Sequence, residues 1–148
     1  MDDQNLNEVY LFHLDKAAKQ FKKLKNEVFK QAGIDLTGDQ WILIKNIHEV
    51  EGINQRTLAK RVFKEPASIT RILDILEKKQ LVERRSIPND RRTYALYTTD
   101  QGKALVQQII PLAVNMREQG RKGLTEKEVE QLTILLKKVY DNLSSTKS

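Results

Sequence analysis

The chain has 148 residues, no Cys and a formal net charge of +6, a composition that excludes disulfide bridges, thiolate zinc sites and thiol redox sensing. No apolar run approaches the roughly 20 residues that cross a bilayer, and the acidic N-terminus MDDQNLNEV differs from the basic start of a secretory signal. We therefore expect a soluble, cytoplasmic protein without membrane contact that folds as one domain over residues 1–148.

Two amphipathic helices are predicted in the first third of the chain. Over residues 6–32, apolar side chains recur at alternating steps of four and three, which is a heptad-like seam. The seam consists of Tyr10, Leu14, Ala17, Phe21, Leu24 and Val28. Gly33 ends this helix, and Thr37 with Gln40 forms a capping box that opens the second helix. Trp41 follows directly and is assigned to the core.

Two shorter helices joined by a tight connection come next, and the second of them begins with small and hydroxyl side chains. Asn54 can cap the third helix, and Pro66 suits the first turn of the fourth, where an N–H would have no partner. This arrangement is typical of a helix-turn-helix, whose second helix enters the major groove of DNA. Ser68 and Thr70 could bond phosphates or base edges there, and Arg71 could bind guanine or a phosphate.

After Gln80 the apolar period changes from helical to alternating, which predicts a two-stranded hairpin. The segments LVERRSI and RTYALYT are joined by the turn-forming cluster PND, and three arginines lie within an eight-residue stretch around it. Edge hairpins also carry cations merely to prevent sheet pairing. This density of arginine instead favours a wing whose tip enters the minor groove.

The positive charge of the chain is concentrated where these elements lie. Residues 54–92 contain eleven Lys and Arg against five Asp and Glu, which accounts for the whole excess of +6. Such a local excess is typical of a surface that displaces counterions from a polyanion. The expected partner is therefore double-stranded DNA.

Two further helices complete the chain. Thr99 caps the fifth helix, which we expect to bend at Pro111 and to be ended by Gly120 and Gly123. Thr125 and Glu128 form another capping box before the sixth helix. The first helix and the last two carry apolar seams that the middle of the chain does not need, so that a lone monomer has too little surface to cover them.

The run SITRILDILEKKQLVERRSIPNDRRTYALYTTDQG resembles the signature of MarR-type transcriptional regulators. The matching elements are T-R in the fourth helix, L-E-K-K before the hairpin, L-V-x-R in its first strand, D-x-R at its tip and T-x-x-G at the next helix. The resemblance covers nearly the whole chain and implies a mainly α fold of the α+β class, a winged helix-turn-helix with a small β-hairpin wing and an all-helical dimerisation region. The DNA-binding lobe would span residues 37–100, and the dimerisation helices residues 4–33 and 99–144.

The resemblance also implies roles for single residues. Arg92 would enter the minor groove, Asp90 would hold it or its neighbourhood, and Arg84 would brace Asp90. Gln80 stands where the family usually has Gly, at a helix end that favours a left-handed backbone. The implied DNA-binding residues are Arg56, Lys60, Arg61, Lys64, Ser68, Thr70, Arg71, Arg84, Arg85, Asp90, Arg91 and Arg92.

Similar proteins are homodimers joined through their first and last helices, in agreement with the seams. The implied dimerisation residues are Tyr10, Leu14, Ala17, Leu132, Leu136, Val139 and Leu143. Many family members sense a ligand, and a small aromatic or amphipathic molecule between the dimerisation helices and the winged module is left open. The candidate pocket residues are Tyr10, Phe21, Trp41 and His48. His13 and His48 lie far apart and lack a second His one turn away, so we expect neither a metal site nor a cofactor.

The leading hypothesis is a sequence-specific, homodimeric transcriptional regulator. It would bind a pseudo-palindromic operator as a repressor and be released by a small-molecule ligand. The alternative is a winged-helix protein-interaction module without a specific DNA site, whose arginines contact an acidic partner. An enzyme is not expected, because the sequence shows no paired catalytic carboxylates, nucleophile motif, phosphate loop or metal-ligand spacing.

Overall fold

The computed structural model describes residues 5–62 and 64–144, and its elements follow the predicted order. The helices are α1 (Tyr10–Gln31), α2 (Gly38–Glu49), α3 (Gln55–Val62), α4 (Pro66–Lys78), α5 (Asp100–Gly120) and α6 (Glu126–Ser144), and the strands are β1 (Ile53–Asn54), β2 (Val82–Ile87) and β3 (Asp90–Thr98). The predicted fold class, mainly helical with a small sheet, is confirmed. The outermost residues of the predicted ranges, 1–4 and 145–148, lie outside the described part. No helix in the described part has the length and hydropathy needed to cross a membrane.

The contacts divide the chain into two compact units, one up to Ile110 and one from Pro111 onward. The first unit contains α1 to α4, the sheet and the start of α5. The second contains the rest of α5, which continues through Pro111, and α6. The single domain and the bend at Pro111 stay predictions.

Side-chain caps fix the starts of α2, α3 and α6 at the residues that the sequence predicts. The Thr37 hydroxyl accepts from the Gln40 N–H at 3.1 Å, and the Gln40 side chain accepts from the Thr37 N–H at 3.2 Å. Asn54 accepts from a backbone N–H in the first turn of α3 at 2.7 Å. Thr125 and Glu128 form the same reciprocal box before α6. These local bonds explain why the helix starts could be read from the sequence.

The start of α1 differs from the prediction. A helix was expected from residue 6, whereas α1 begins at Tyr10. The Asn5 side chain caps a separate 3₁₀ turn, Leu6–Glu8, through the Asn7 N–H. The competing cap therefore delays the α-helix by one turn.

The sheet has three antiparallel strands in the order β1-β3-β2. In the predicted hairpin of β2 and β3, Arg84 lies opposite Leu96, and the register shifts between Ser86 and Ile87. The bridging strand β1 pairs with β3 on its other side, with Ile53 opposite Leu96. As the central strand, β3 joins the base of the hairpin to the helical core.

The core of the first unit is formed by α2, α3, α4 and the sheet. Its fully buried members include Leu43, Ile44, Ile47, Leu58, Ile69, Leu73, Leu76 and Leu96. Trp41 is 8% exposed and meets Phe29 of α1 edge-on, with 6.4 Å between ring centroids. This placement agrees with the assignment of Trp41 to the core.

The chain leaves α4 through Gln80, whose φ of +62° is left-handed, as its position implied. The Leu81 N–H returns to the Leu76 carbonyl at 3.0 Å, and the Gln80 N–H to the Glu77 carbonyl at 2.9 Å. This pair of bonds is a Schellman motif, in which glycine is the favoured residue at the left-handed position. Gln80 therefore carries backbone strain.

Replacing Gln80 with Gly should raise the free energy of unfolding by about 1 kcal/mol, because glycine adopts a positive φ without the steric penalty. Urea denaturation of the variant and the wild type measures the difference. The matched control is Lys78→Gly at the last residue of α4, where the backbone is right-handed and glycine should lower stability by up to about 1 kcal/mol. A Gln80→Gly variant no more stable than the wild type would contradict the strain.

Candidate nucleic-acid interface

Helix α4 turns one face to the core and the opposite face to solvent. Ile69, Leu73 and Leu76 are buried. Four exposed or solvent-facing positions, spaced i, i+4, i+7 and i+11, form a line on the other face: Ala67, Arg71, Asp74 and Lys78. Ser68 lies beside this line, half-buried, and its hydroxyl accepts a hydrogen bond from Arg71 at 3.3 Å. Of the predicted residues on α4, Arg71 is the one that lies on this exposed line.

Thr70 is exposed, but its hydroxyl is already engaged. It accepts a hydrogen bond from the Gln55 amide at 2.9 Å and lies 3.1 Å from the Pro66 carbonyl, to which it donates. Gln55 is the first residue of α3, so this contact ties the two helices together. Gln55 was not among the residues predicted from the sequence, because its contact with Thr70 spans fifteen residues of chain.

The eleven Lys and Arg of residues 54–92 fall into two groups. Five lie within 3.3 Å of a carboxylate oxygen: Arg61, Lys64, Lys79, Arg84 and Arg85. The other six are exposed and have no acidic partner among the described residues: Arg56, Lys60, Arg71, Lys78, Arg91 and Arg92. We call these six the unpaired cations. Since a neighbouring carboxylate offsets the field of a cation, the unpaired cations dominate the positive potential of this surface.

The hairpin tip presents two of the unpaired cations. Asn89 has a φ of +66°, which allows a tight turn after Pro88. The Asp90 carboxylate accepts a hydrogen bond from the Arg92 backbone N–H at 2.9 Å. Asp90 thereby fixes the backbone beside Arg92 and leaves the guanidinium exposed, which agrees with its implied role of holding the neighbourhood of Arg92.

Arg84 does not brace Asp90, and that expectation was wrong. Its guanidinium donates to the Asp74 carboxylate at 2.8 Å and to the Thr70 carbonyl at 3.2 Å, both on α4. Asp90 pairs with Ile87 near the tip. Each strand residue advances the chain by about 3.3 Å, so roughly 10 Å of strand separates Arg84 from that pair.

A cleft of about 720 Å³ lies between α3, the start of α4 and β3. We call it the α3–hairpin cleft. Its lining contains five cations, one carboxylate and several polar and apolar side chains: Arg56, Lys60, Lys64, Arg84, Arg92, Glu65, Gln55, Thr70, Thr93, Ala59, Pro66, Ile69 and Tyr94. Three unpaired cations are thus gathered around one concave surface. Tyr94, which is 43% exposed, was not among the residues predicted from the sequence; the register shift in this part of the hairpin interrupts the alternation that would have indicated it.

Arg61 is a predicted DNA contact that the structure places in an ion-pair cluster with α2. It donates to the Asn46 side chain at 2.7 Å and to the Glu49 carboxylate at 2.8 Å. Lys45 donates to the same carboxylate at 2.8 Å. These bonds, that of Lys45 foremost, hold the pKa of Glu49 below its ordinary value. Arg61 therefore contributes to the attachment of α3 to α2.

Lys64 and Arg85 are also paired. Lys64 lies 3.3 Å from the Asp39 carboxylate at the start of α2. Arg85 donates to Glu83 at 2.8 Å, and its guanidinium carbon lies 3.9 Å from the centroid of the Tyr97 ring. Both cations are thus partly neutralised, in contrast to Arg91 at the tip.

The predicted dimerisation residues are distributed over both units. Tyr10 in the first unit is 60% exposed, and none of the residues of α6 in the second is buried. Leu14 and Val139 are half-buried, and the remaining members are exposed: Ala17, Leu132, Leu136 and Leu143. Each unit therefore presents apolar side chains at the predicted positions.

The four predicted ligand-pocket residues have separate surroundings. The ammonium nitrogen of Lys25 lies over the half-exposed ring of Phe21, 4.5 Å from the ring centroid. Burial lowers the pKa of Lys25. Trp41 packs in the core, and His48 lies 3.5 Å from the Glu51 carboxylate. None of the four lines the α3–hairpin cleft.

His13, the other histidine considered for a metal site, lies 2.7 Å from the Asn7 carbonyl. Within residues 5–62 and 64–144, no group of three or more His, Cys, Asp or Glu could hold a metal ion.

Comparisons with known proteins agree with this geometry. Residues 36–94, which contain α2, the helix-turn-helix and most of the hairpin, match the model of the MarR family. Wild-type MarR from E. coli in its apo form is 31% identical, with 85% of this chain and 93% of that chain covered and a TM-score of 0.70. A mutant of E. coli MarR complexed with operator DNA is 29% identical, with 94% and 99% covered and a TM-score of 0.82. A Listeria monocytogenes protein assigned to the MarR family and complexed with a 26mer DNA is 28% identical, with 90% and 87% covered and a TM-score of 0.82.

Replacing Glu49 with Gln should lower the free energy of unfolding at pH 7 by less than about 1 kcal/mol, the range of exposed ion pairs. The pKa of Glu49 is lower in the folded chain than the value of about 4.3 in an unfolded one. The ionised carboxylate therefore stabilises the fold in full above about pH 4.3, and this stabilisation is lost as the pH falls through the folded pKa. Urea denaturation at pH 7 and at about pH 3 should therefore show a difference from the wild type that shrinks in acid.

The matched control for this pH dependence is Glu130→Gln on α6, whose carboxylate has no ion pair within the described residues. At pH 7, Glu130→Gln should change the free energy of unfolding less than Glu49→Gln does. If the Glu49→Gln difference were the same at both pH values, the ion-pair cluster would not contribute to stability.

Proposed function

The chain belongs to the MarR family of transcriptional regulators, and on that basis we propose that it binds a specific DNA site as a homodimer and acts in the cytoplasm as a repressor released by a small-molecule ligand. Members of this family are regulators rather than enzymes. The observation that carries the proposal is the set of six unpaired cations. They are distributed over α3, α4 and the hairpin, the elements that a winged helix brings to DNA.

Helix α4 would enter the major groove with its solvent face. Ala67 in its first turn is small enough for close approach to the base edges. Arg71 follows on the same face, and its guanidinium could exchange the bond to Ser68 for a bidentate contact with guanine. Base reading by α4 would therefore centre on Arg71.

Helix α3 and the hairpin would hold the phosphate backbone on either side. Arg56 and Lys60 are one helical turn apart on α3, a spacing that suits successive contacts to one strand. Arg91 and Arg92 at the hairpin tip would reach the adjacent minor groove, where a narrow A·T-rich sequence concentrates negative potential. The cations of α3 and the tip would thus set the position, and α4 the sequence preference.

The proposed dimer would form through the apolar residues of α1 and α6. Tyr10 of α1 and, separately, Leu132 and Leu143 of α6 are large, apolar and at least 48% exposed, and exposed apolar side chains of this size are a mark of interfaces. A two-fold dimer carries two copies of the DNA surface, so that the operator would be pseudo-palindromic with half-sites about 34 Å apart.

The proposed ligand is a small aromatic or amphipathic molecule. Of the predicted pocket residues, Phe21 offers a half-exposed ring beside the buried ammonium of Lys25. An aromatic ligand could stack on this ring. Its binding would act by favouring a conformation with lower affinity for the operator.

Replacing Arg92 with Ala should weaken operator binding by about 1–3 kcal/mol, because a groove contact is lost from the wing. The measurement is a gel-shift titration at fixed salt on a site selected from the source genome. The matched control is Arg85→Ala in the same hairpin, whose guanidinium is paired with Glu83 and which should change affinity by less than about threefold. Unchanged affinity of Arg92→Ala would remove the wing tip from the mechanism.

Replacing Leu136 with Glu should dissociate the dimer, because it puts a charge into the apolar seam of α6. Sedimentation equilibrium at micromolar concentration should then find single chains, whereas the wild type should sediment as two. The control is Ile134→Glu, 49% exposed and about 200° away around the helix, which should stay dimeric. A wild-type monomer would overturn the proposed assembly.

A further inference from the structure

We infer that Arg84 is a positioning residue, which fixes the hairpin against α4 so that the wing tip and the base-reading helix contact DNA as one rigid surface. The inference rests on the proposed DNA binding. It assigns to Arg84 a role different from the DNA contact or the Asp90 brace that the resemblance implied.

The guanidinium of Arg84 is held through one terminal nitrogen, because both of its hydrogen bonds to described residues are donated by Nη2, while Nε is buried without a hydrogen-bond partner among them. It donates at 2.8 Å to the Asp74 carboxylate and at 3.2 Å to the Thr70 carbonyl, and it lies 3.9 Å from the Glu77 carboxylate. Its side chain is 17% exposed. A guanidinium that is paired and mostly buried has little charge or surface left for a phosphate.

Arg84 also holds a position that no other described residue duplicates. Among the described hairpin residues, no other side chain forms a hydrogen bond or ion pair with α4. At the base of the hairpin, Thr98 bonds Glu51 instead. Toward the tip, the hydrogen bonds of Arg85 and Asp90 stay within the hairpin. Arg84 is therefore the last polar link to α4 before the tip.

The link continues into α3. The Thr70 carbonyl accepts from Arg84, while the Thr70 hydroxyl accepts from Gln55 at 2.9 Å. Three elements are thus connected through one residue. Arg92 lines the α3–hairpin cleft that these elements form, together with Arg84 and Gln55. The position of Arg92 relative to α4 therefore depends on the Arg84 link.

Electrostatics and positioning predict opposite effects at Asp74. Its side chain is 59% exposed on the solvent face of α4, so its carboxylate would approach the phosphates of bound DNA. If charge alone mattered, removing Asp74 would strengthen binding. If Asp74 anchors Arg84, removing it releases the hairpin and weakens binding to the specific site.

The first experiment measures the affinity of full-length variants for a site selected from the source genome and for a scrambled duplex. Asp74→Ala and Arg84→Lys should each weaken binding to the selected site at least fivefold, although the first removes a negative charge and the second keeps the positive one. The matched control is Glu77→Ala, which removes a carboxylate of α4 that lies 3.9 Å from Arg84 and should leave affinity unchanged or higher.

A double-mutant cycle distinguishes positioning from a merely structural role. Arg92→Ala should cost at least about fivefold in the wild-type background and less than about twofold in the Arg84→Lys background, because a released wing tip has already lost its contact. Arg56→Ala on α3 should cost the same in both backgrounds. Circular dichroism checks that each variant is folded, and Asp74→Ala tests the same link from α4 should Arg84→Lys fail to fold.

The outcomes separate the two claims. If the wild type does not distinguish the selected site from the scrambled duplex, the proposed function fails and the role of Arg84 with it. If it does, but Arg84→Lys binds like the wild type, Asp74→Ala binds more tightly, or the Arg92→Ala cost is equal in both backgrounds, only the positioning role is overturned.

Discussion

The pairing of cations with carboxylates decides what this surface can bind. Eleven Lys and Arg lie in residues 54–92, yet Arg61, Lys64 and Arg84 each lie within 3.3 Å of a carboxylate. Such pairs join α3 to α2 and the hairpin to α4, and their fields largely cancel. The unpaired cations remain on α3, on the solvent face of α4 and at the hairpin tip. The same ion pairs that hold the elements together thus determine where positive charge is left for DNA.

The elements and most of their ends could be predicted from the sequence, because the responsible interactions are local; the start of α1 was missed because the Asn5 cap forms a separate 3₁₀ turn. The capping box at Thr37 spans three residues, and the left-handed turn at Gln80 follows from the end of α4. The partner of Arg84 could not be predicted in this way. Asp74 lies ten residues earlier, and the pairing depends on how β2 packs against α4. For the same reason a list of basic residues did not distinguish the free Arg56 from the paired Arg61.

The charged surface and the exposed apolar residues of α6 lie in different parts of the chain, which suggests that they have different functions. The charged surface of α3, α4 and the hairpin is presented by the first unit, whereas α6 exposes apolar residues along its whole length. In the proposed dimer, association would double the charged surface without adding any contact to a single half-site. Affinity would then depend on whether both surfaces engage one duplex at the same time.

The salt dependence of DNA binding tests this account most directly. Fluorescence anisotropy would follow a genome-selected site and a scrambled duplex of equal length between about 50 and 200 mM salt. With six unpaired cations in each chain of the proposed dimer, we expect log K to fall with log salt at a slope no steeper than about −11, at roughly −0.9 per phosphate neutralised. The selected site should bind at least about 10³-fold more tightly than the scrambled one. A slope near zero, or equal affinity for both duplexes, would contradict the account.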